Sequence, residues 1–534
     1  MKAEVKAGRV WFDEVDPHTL AQLPCAKKAR NGDVTVPATL AMMGVLATEL
    51  PRLHLEPGAL HLRLLRAERE RKLKLLQQGV LPAYPTTKTT PWKHQALAYW
   101  SAVTMGSYGL FMAMGTGKSK VAVDLVETQE LVRTLVVCPK AVIPVWEAQF
   151  RQHGDGNTQV LLLDKGTVKQ RRDQAVQALN QHTSGRLVIV VNYDSVWRDT
   201  WAGLWERAKL DCIIADEAHK LKGVSSKCSV YLAKLGSTIP HRYALTGTPM
   251  PESPIDVYGI ARFIDPTVFG LSHARFVTRY ANVSTFGMVR RFRSLKDPAA
   301  FAERMRDVGI LIDNTVLTLP PLHHIPAPVD LPEAAMEKYK QMEEEAIVVV
   351  GNDEISAPHK ITQMLRLQQM AGGYITRADG AVKQLHTAKL DALTEILDGL
   401  PASERVVVFG YFKEELKAVQ ALMLQRKRKV GRISGEGSDY VPWREGKLQD
   451  LVVQIKSGSA GIDLSDACYA IYYSTGFSLA DYEQSLARLH RPGQTKTTTM
   501  LHLIARGTID RYVYKALRTK NDVVQMCLQG LRDA

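Results

Sequence analysis

Short apolar runs alternate with helical stretches in two separate parts of the chain, and this pattern constrains the fold more than any other feature of the sequence. Such alternation predicts a parallel sheet covered by helices on both faces. The sequence therefore predicts an α/β fold with two such lobes. The clearest predicted strands are Gly109–Met114, Thr134–Cys138, Leu187–Asn192, Cys212–Ala215 and Arg242–Leu245 in the first lobe, and Arg405–Phe409, Asp450–Lys456 and Tyr469–Tyr473 in the second.

The rest of the chain divides around these lobes. The N-terminal part combines short β-like pieces, such as Arg9–Phe12, with a basic helix near Leu60–Gln77, and a proline-containing linker follows. It is interpreted as a small α+β accessory domain. The predicted domains are residues 1–85 (accessory), 86–270 (first lobe), 271–385 (mainly helical insert) and 386–534 (second lobe).

The composition is that of a basic globular protein. The 534 residues contain 69 Lys and Arg against 55 Asp and Glu, a formal net charge of +14 that suits a polyanionic partner such as DNA or RNA. The six scattered cysteines include no Cys-x-x-Cys pair, which argues against a zinc site or a disulfide framework. We recognise no membrane span and no signal peptide. We therefore expect no membrane partner and a cytoplasmic location, or the host cytoplasm if the chain is viral.

A glycine-containing segment between a predicted strand and a predicted helix has the pattern of a phosphate-binding loop. The segment Met114–Ser119 reads MGTGKS. Its glycines let the backbone N–H groups turn toward phosphate oxygens, its lysine can neutralise their charge, and its serine can hold Mg²⁺. The extended pattern expects glycine at Met112, and the short segment alone also suits an ordinary strand–helix turn. The predicted phosphate-binding residues are Gly115, Thr116, Gly117, Lys118 and Ser119.

Two consecutive carboxylates, Asp216 and Glu217, directly follow the predicted strand Cys212–Ala215. Parallel sheets bind their ligands at the carboxyl ends of the strands. Asp216 is therefore predicted to hold Mg²⁺, and Glu217 to orient and deprotonate an attacking water. A solvated acidic strand end is the alternative interpretation.

The second lobe contains three polar residues at helical spacing. Gln484, Arg488 and Arg491 occupy positions i, i+4 and i+7, so a helix would place them on one face. Arginines aimed at a γ-phosphate held by the other lobe would stabilise transition-state charge. Pro492 and Gly493 predict that this helix ends directly after Arg491. A solvated basic helix face is the alternative.

Taken together, ordered motifs across residues 90–520 resemble the Swi/Snf-type family of superfamily-two helicases and DNA translocases. The chain is similar to compact phage and bacterial members, and distantly to annealing helicases. The likeness to annealing helicases implies that the accessory domain, residues 1–85, recognises the DNA substrate. The resemblance implies two RecA-like lobes, the cofactors ATP and Mg²⁺, and hydrolysis that depends on nucleic acid. The matching segments are Pro91–Gln95, Met114–Ser119, Val137–Lys140, Asn192–Asp194, Asp216–His219, Leu245–Pro249, Val406–Gly410, Gly458–Leu464 and Gln484–Gln494.

The resemblance also implies roles for individual residues. Gln95 would read the adenine, and Gly461 and Asp463 would help to bind the nucleotide. The implied nucleic-acid contacts are Lys140, Tyr193, Ser457 and Ser459. The residues implied to couple the ATP site to the nucleic-acid path are His219, Thr246, Thr248 and Gln484. Three basic clusters, each alternatively a solvated surface, could add duplex contacts: residues 63–74, 290–296 and 426–429.

The sequence thus predicts a DNA-dependent ATPase that translocates on double-stranded or branched DNA and remodels it. Fork reversal, annealing, branch migration and protein displacement are the candidate tasks. A strand-separating DNA or RNA helicase is the second hypothesis. A nucleic-acid-binding scaffold with a weak or inactive motor is the third, and the complete set of predicted catalytic residues argues against it. That set is Lys118, Asp216, Glu217, Arg488 and Arg491.

Overall fold

The structure is a computed structural model in which the chain forms two compact units, Met1–Val316 and Leu317–Val523. Each unit is described by itself. The residues described are 2–6, 9–12, 26–28, 34–39, 42–43, 46, 54–55, 57–201, 203–286, 289–351, 357–376, 381–456 and 462–519.

The first unit begins with a small five-stranded sheet of order β3-β4-β2-β1-β5. Alternate residues of its strands, among them Val10, Phe12, Val34 and Val36, are buried together in one core. The long helix α1 follows the sheet. The bounds are β1 (Lys2–Lys6), β2 (Arg9–Phe12), β3 (Lys27–Lys28), β4 (Val34–Pro37), β5 (His54–Leu55) and α1 (Pro57–Gln77).

The accessory sheet and α1 contact the first α/β lobe through polar groups. Arg66 Nη1 of α1 lies 2.5 Å from Asp307 Oδ1, and both side chains are largely buried. The hydroxyls of Thr39 and Thr267 lie 2.8 Å apart. Breaking a buried ion pair by removing one partner is strongly destabilising. The pair therefore holds α1 on this lobe.

The first lobe contains a seven-stranded sheet of order β14-β6-β11-β10-β7-β9-β8, in which every pairing is parallel. The remaining two strands, β12 and β13, form a separate antiparallel ribbon. The strand bounds are β6 (Tyr108–Met112), β7 (Arg133–Cys138), β8 (Thr158–Leu162), β9 (Arg186–Asn192), β10 (Cys212–Asp216), β11 (His241–Thr246), β12 (Ala281–Phe286), β13 (Val289–Leu295) and β14 (Gly309–Ile312).

Helices and short 3₁₀ turns connect these strands. The helices are α2 (Lys93–Met105), α3 (Lys118–Thr128), α4 (Ile143–His153), α5 (Val168–Gln181), α6 (Tyr193–Val196), α7 (Leu204–Arg207), α8 (Lys227–Gly236), α9 (Val257–Ile264), α10 (His273–Tyr280) and α11 (Pro298–Val308). The 3₁₀ turns are Lys140–Val142, Asp199–Trp201, Ala218–Lys222, Pro254–Asp256 and Asn314–Val316.

The second unit contains a seven-stranded sheet of order β15-β23-β22-β18-β21-β19-β20, antiparallel only at the β19–β20 pair. Strands β16 and β17 form a small ribbon. The strand bounds are β15 (Leu322–Val329), β16 (Tyr374–Thr376), β17 (Val382–Gln384), β18 (Val406–Gly410), β19 (Val430–Ser434), β20 (Gly437–Ser438), β21 (Asp450–Gln454), β22 (Tyr469–Tyr472) and β23 (Thr498–Ala505). The helices are α12 (Glu333–Gly351), α13 (Ala357–Ala371), α14 (Ala388–Asp398), α15 (Lys413–Gln425), α16 (Tyr440–Arg444) and α17 (Leu479–Leu489), and residues 509–519 are also helical.

Both main sheets are buried on both faces, as parallel sheets require. All residues of β6, β10 and β18 are buried. In β18, Val407 and Phe409 belong to one core, whereas Val406 and Val408 belong to the core on the opposite face. The predicted α/β fold with two parallel-sheet lobes is confirmed.

The segment predicted as a mainly helical insert, residues 271–385, also supplies strands. It contains four helices, the β12–β13 and β16–β17 ribbons, and the edge strands β14 and β15 of the two main sheets. Its residues therefore belong to both units. None of the described helices has the length and apolar character of a membrane span.

Candidate functional site

Three loops of the first lobe meet at the carboxyl edge of its sheet. They follow β6, β11 and β10, which are consecutive neighbours in the sheet. A Cβ added to Gly247, after β11, would lie 3.3 Å from the Met114 side chain and 3.4 Å from the Met112 carbonyl oxygen. The loop after β11 therefore lies against the predicted phosphate loop.

The phosphate loop requires glycine at two positions. Gly115 and Gly117 have φ angles of 80° and 84°, a left-handed conformation that L side chains rarely adopt. Gly117 also directly precedes the first turn of α3, and a Cβ there would lie 2.2 Å from Gln95 Nε2. The backbone N–H groups at this helix start are in the position that binds phosphate in such loops.

Two side chains of α2 hold the loop from the other side. Gln95 Nε2 donates to the Thr116 carbonyl oxygen at 3.0 Å, and His94 Nε2 lies 2.9 Å from the same oxygen. Gln95 Oε1 accepts from the Trp92 N–H at 2.9 Å. Gln95, predicted to read adenine, thus also positions the loop. His94 was missed, because a lone histidine beside Gln95 forms no recognisable pattern.

Lys118 is the first residue of α3, and its side-chain ammonium lies at the carboxyl end of β6. Its Nζ donates to the Met112 carbonyl at 2.8 Å and to the Ala113 carbonyl at 3.3 Å. Phosphate oxygens are stronger acceptors than carbonyls, because hydrogen bonds between charged groups are roughly twice as strong as neutral ones. The ammonium, the glycine turns and the half-buried Ser119 next to Lys118 therefore fit a nucleoside polyphosphate.

Asp216 is the last residue of β10 and its side chain is buried. Its Oδ1 accepts from the Glu217 N–H at 2.9 Å, and its Oδ2 accepts from Trp146 Nε1 at 3.1 Å. Burial and the neighbouring Glu217 carboxylate raise the pKa of Asp216, and the charge of Lys118 opposes them. A carboxylate in this position fits Mg²⁺, because a divalent cation prefers oxygen ligands and favours their ionised form.

A chain of polar contacts leads from Glu217 to the loop after β11. Glu217 has a φ of 52°, an unusual value for a residue with a side chain. His219 Nδ1 lies 3.2 Å from Glu217 Oε2 and 3.4 Å from Thr246 Oγ1, which accepts from the Thr248 N–H at 3.1 Å. The structure thus brings together three of the four predicted coupling residues with the predicted general base. The fourth, Gln484, is buried in the second unit.

The predicted nucleic-acid contacts have different placements. Lys140 is exposed on the 3₁₀ turn after β7. Tyr193 is only 7% exposed, and its hydroxyl donates to the Asp216 carbonyl at 2.8 Å. This placement argues against a direct phosphate contact by Tyr193 and indicates instead that it positions the end of β10. Ser457, Ser459 and Gly461 lie outside the described residues.

In the second unit, the two predicted arginines converge on one segment. Arg488 Nη1 and Arg491 Nη1 lie 3.4 and 3.5 Å from the Ile462 carbonyl oxygen, and Arg491 Nε lies 3.8 Å from Asp463 Oδ1. Burial raises the pKa of Asp463, but hydrogen bonds from Ser465 and the charges of Arg491 and Arg444 outweigh it, so that the pKa is lowered. Asp463 is therefore an ionised partner for the arginines.

The helix that carries these arginines is shorter than predicted. α17 ends at Leu489, so Gln484 and Arg488 lie on it but Arg491 lies beyond its end. His490 leaves the helical conformation, with a ψ of 82°, and its Nε2 lies 2.8 Å from the Pro320 carbonyl oxygen. The prediction that all three residues share a helix face was therefore wrong for Arg491.

We expect Gly117→Ala to lower ATP turnover about 10²-fold, the scale expected when a reacting group is misplaced. Alanine at this φ costs about 1–2 kcal/mol, and its Cβ would also displace Gln95. Gly79→Ala is the matched control, because Gly79 has a φ of 86° with nothing within 4 Å. Melting temperature and steady-state phosphate release measure the two effects. Equal activities in the two variants would contradict this role of Gly117.

We expect Trp146→Phe to lower turnover about 10- to 100-fold, because Asp216 loses the donor that orients it. The matched control is Trp205→Phe. Trp205 is equally buried, and its Nε1 has no hydrogen-bond partner among the described residues. Both variants should lose similar stability in thermal unfolding, whereas only Trp146→Phe should require more Mg²⁺ for half-maximal turnover. An unchanged Mg²⁺ requirement would show that Trp146 only fills space.

Comparison with known protein families gives two matches along the chain. The model of the SNF2-related domain matches residues 34–371, which is more than half of the chain. The model of the helicase conserved C-terminal domain matches residues 388–493. The first match includes the phosphate loop and both carboxylates, and the second includes Arg488 and Arg491.

Similar proteins come from phages, plants and animals. Putative protein p41 of Acyrthosiphon pisum secondary endosymbiont phage 1 is 25% identical over 83% of this chain and 99% of its own length. The CHD3-type chromatin-remodeling factor PICKLE of Arabidopsis thaliana is 23% identical over 76% of this chain, which spans only 32% of that protein. The human DNA repair and recombination protein RAD54-like is 21% identical over 78% of this chain and 63% of its own length.

Among solved structures, the Sulfolobus solfataricus SWI2/SNF2 ATPase core in complex with dsDNA aligns with 85% of this chain and 98% of its own, at 18% identity and a TM-score of 0.39. The assignment of this chain to a family depends on the model of the SNF2-related domain and not on this structure. That model matches most of the first unit and part of the second. The chain therefore belongs to the SNF2-related, Swi/Snf-type family of superfamily-two DNA-dependent ATPases.

Proposed function

We propose that this protein is a motor that couples ATP hydrolysis to movement along double-stranded DNA and thereby remodels the DNA or displaces proteins bound to it. One observation carries the proposal. The phosphate loop, the Asp216–Glu217 pair and the His219–Thr246–Thr248 contacts lie at one edge of the first sheet. Loss of the γ-phosphate on hydrolysis can therefore alter the position of the loop after β11 through the contacts of Glu217, His219 and Thr246.

The residues of this edge have distinct chemical tasks in the proposed reaction. Lys118 and the loop N–H groups bind the triphosphate, and Ser119 and Asp216 would hold Mg²⁺, which neutralises charge on the β- and γ-phosphates when bound. Glu217 orients the attacking water and accepts its proton. For Arg488 and Arg491, which belong to the second unit, the proposed task is to stabilise the charge of the transition state.

Double-stranded DNA as the track is supported by the relatives. PICKLE is described as a chromatin-remodeling factor and the human relative as a DNA repair and recombination protein. The formal charge of +14 suits a partner that is bound through its phosphates. The phage protein aligns over 99% of its own length, which supports a phage-type protein working in a host cytoplasm. Forked or branched DNA is included among the proposed substrates.

The proposal is tested by the rate of ATP hydrolysis with no nucleic acid, single-stranded DNA, duplex DNA, forked DNA and RNA. We expect duplex or forked DNA to stimulate the rate most. Displacement of a third strand from a triplex, without separation of the duplex, would demonstrate translocation. Strongest stimulation by RNA, or efficient separation of a plain duplex, would overturn the proposal.

A further inference from the structure

One stretch of the first unit carries positive charge without any carboxylate. Between Asp265 and Asp297 the sequence contains no Asp or Glu. The same stretch contains six cationic residues: Arg275, Arg279, Arg290, Arg291, Arg293 and Lys296. Local ion pairing within the stretch therefore cannot neutralise this charge.

The structure folds this stretch into the helix α10 and the antiparallel ribbon β12–β13. Within the described residues the ribbon joins neither of the two main sheets. Its register shifts between Asn282 and Val283, an irregularity of the kind that twists a ribbon and re-aims its side chains. The ribbon is thus a separate two-stranded element connected to the lobe through α10 and α11.

An aromatic cluster fixes the base of this element. The Phe269 ring lies 4.9 Å from Phe276, 5.4 Å from Tyr280 and 5.7 Å from Phe301, and all four side chains are buried. The opposite face of α10 presents the exposed Arg275 and Arg279, which are one turn apart. The helix therefore holds its basic face outward on a rigid support.

Two cations, one in the ribbon and one directly after it, are held by uncharged acceptors. Arg293 Nε donates to Ser284 Oγ at 2.8 Å, and Lys296 Nζ donates to the Thr278 carbonyl at 2.7 Å. Both residues are exposed. A hydroxyl and a carbonyl orient these side chains but leave their positive charge in place.

In each of the other two basic clusters of the sequence, two cations have carboxylate partners. In the cluster at residues 426–429, Arg428 Nε and Nη2 lie 2.5 and 3.0 Å from the Asp450 carboxylate, and Arg426 pairs with Asp398. In α1, Arg66 pairs with Asp307, and Lys72 Nζ lies 2.8 Å from Glu68. Arg293 and Lys296 differ from these cations because their acceptors are uncharged, so their positive charge is available to an external anionic partner.

We propose that α10 and the β12–β13 ribbon form an arm that grips the phosphates of double-stranded DNA on either side of the major groove. This rests on the proposed function, which supplies DNA as the partner. The major groove of B-DNA is about 12 Å wide and admits a two-stranded β-ribbon. The major groove of an A-form RNA duplex is too narrow for side chains to read. The shape of the element thus favours duplex DNA over duplex RNA.

The test compares the wild-type chain with the triple variant Arg275→Gln, Arg279→Gln, Arg293→Gln. The affinity for a blunt DNA duplex is measured by fluorescence anisotropy over a series of salt concentrations. The association constant for DNA falls as salt rises, and each lost phosphate contact makes the slope of its logarithm against log salt concentration less steep by about 0.9. We expect the slope to become less steep by about two to three, and the affinity at low salt to fall at least about tenfold.

Four companion measurements decide the interpretation. The variant Arg275→Lys, Arg279→Lys, Arg293→Lys should retain most of the slope, because phosphates are bound mainly through charge. Lys165→Gln with Lys169→Gln removes exposed cations elsewhere in the unit and should leave duplex binding unchanged. An unaltered melting temperature shows that the triple variant is folded, and the affinity for an RNA duplex should change much less than the affinity for DNA.

The outcomes separate this proposal from the proposed function. If duplex DNA stimulates wild-type hydrolysis but the triple variant keeps the wild-type slope, the arm is refuted and the motor stands. An equal loss of affinity for the DNA and RNA duplexes would also overturn the arm. If the slope falls as expected while duplex DNA fails to stimulate hydrolysis, the arm stands and the proposed motor function fails.

Discussion

Replacing Lys118 with alanine is expected to abolish detectable ATP turnover. The Lys118 ammonium is anchored at the carboxyl end of β6 by the carbonyls of Met112 and Ala113, beside the two glycine turns. Its removal takes away the positive charge aimed at the transferred phosphoryl group. Loss of a preorganised donor to developing charge costs about 10²–10³-fold in rate, and loss of a full charge at least as much. Phosphate release at saturating duplex DNA is the measurement.

The controls for Lys118→Ala distinguish a loss of turnover caused by the missing ammonium group from a loss caused by misfolding. Lys118→Arg keeps the charge but not the compact ammonium, and should restore little activity, since a guanidinium has a different shape. Lys169→Ala removes an exposed lysine of α5 and should leave turnover at the wild-type level. A Lys118→Ala protein that hydrolyses ATP within about tenfold of the wild-type rate would show that Met114–Ser119 is not a phosphate loop.

The central strands were predictable because their environment leaves a simple signal. β6, β10 and β18 are buried on both faces, so their sequences are continuous apolar runs. The edge strand β15 has the sequence LHHIPAPV and is largely exposed, so neither alternation nor an apolar run marks it. The edge strands of both sheets were therefore missed within the predicted insert.

The candidate site was predictable where its functional residues are adjacent in the sequence, and not where it depends on tertiary contacts. The glycines and Lys118 are consecutive, and so are Asp216 and Glu217. The hydrogen bond from Trp146 to Asp216 joins residues 70 positions apart and exists only because α4 packs against β8 and β9 of the sheet that contains β10. Nothing in the sequence indicates that Tyr193 is buried or that its hydroxyl donates to the Asp216 carbonyl.

Replacing Arg491 with alanine is expected to lower turnover about 10³-fold or more while largely sparing ATP binding. A finger arginine contributes about 10³–10⁵-fold to phosphoryl transfer. Arg491 is held by weak contacts, at 3.5 Å from the Ile462 carbonyl and 3.8 Å from Asp463. The Arg491 side chain is 28% exposed and a guanidinium has five N–H donors, so part of the group is accessible to a phosphate.

Arg444→Ala is the matched control for this prediction, because Arg444 also lies beside Asp463, at 4.0 Å, and forms an ion pair with Asp466 at 2.8 Å. It removes the same charge from the same acidic segment without a predicted role at the phosphate. A fluorescent ATP analogue reports binding, and single-turnover hydrolysis reports the chemical step. If Arg491→Ala weakens nucleotide binding as much as it slows hydrolysis, Arg491 contributes ground-state affinity and not transition-state stabilisation. If Arg444→Ala slows hydrolysis equally, the effect belongs to the ionised Asp463 segment as a whole, and Arg491 has no separate catalytic role.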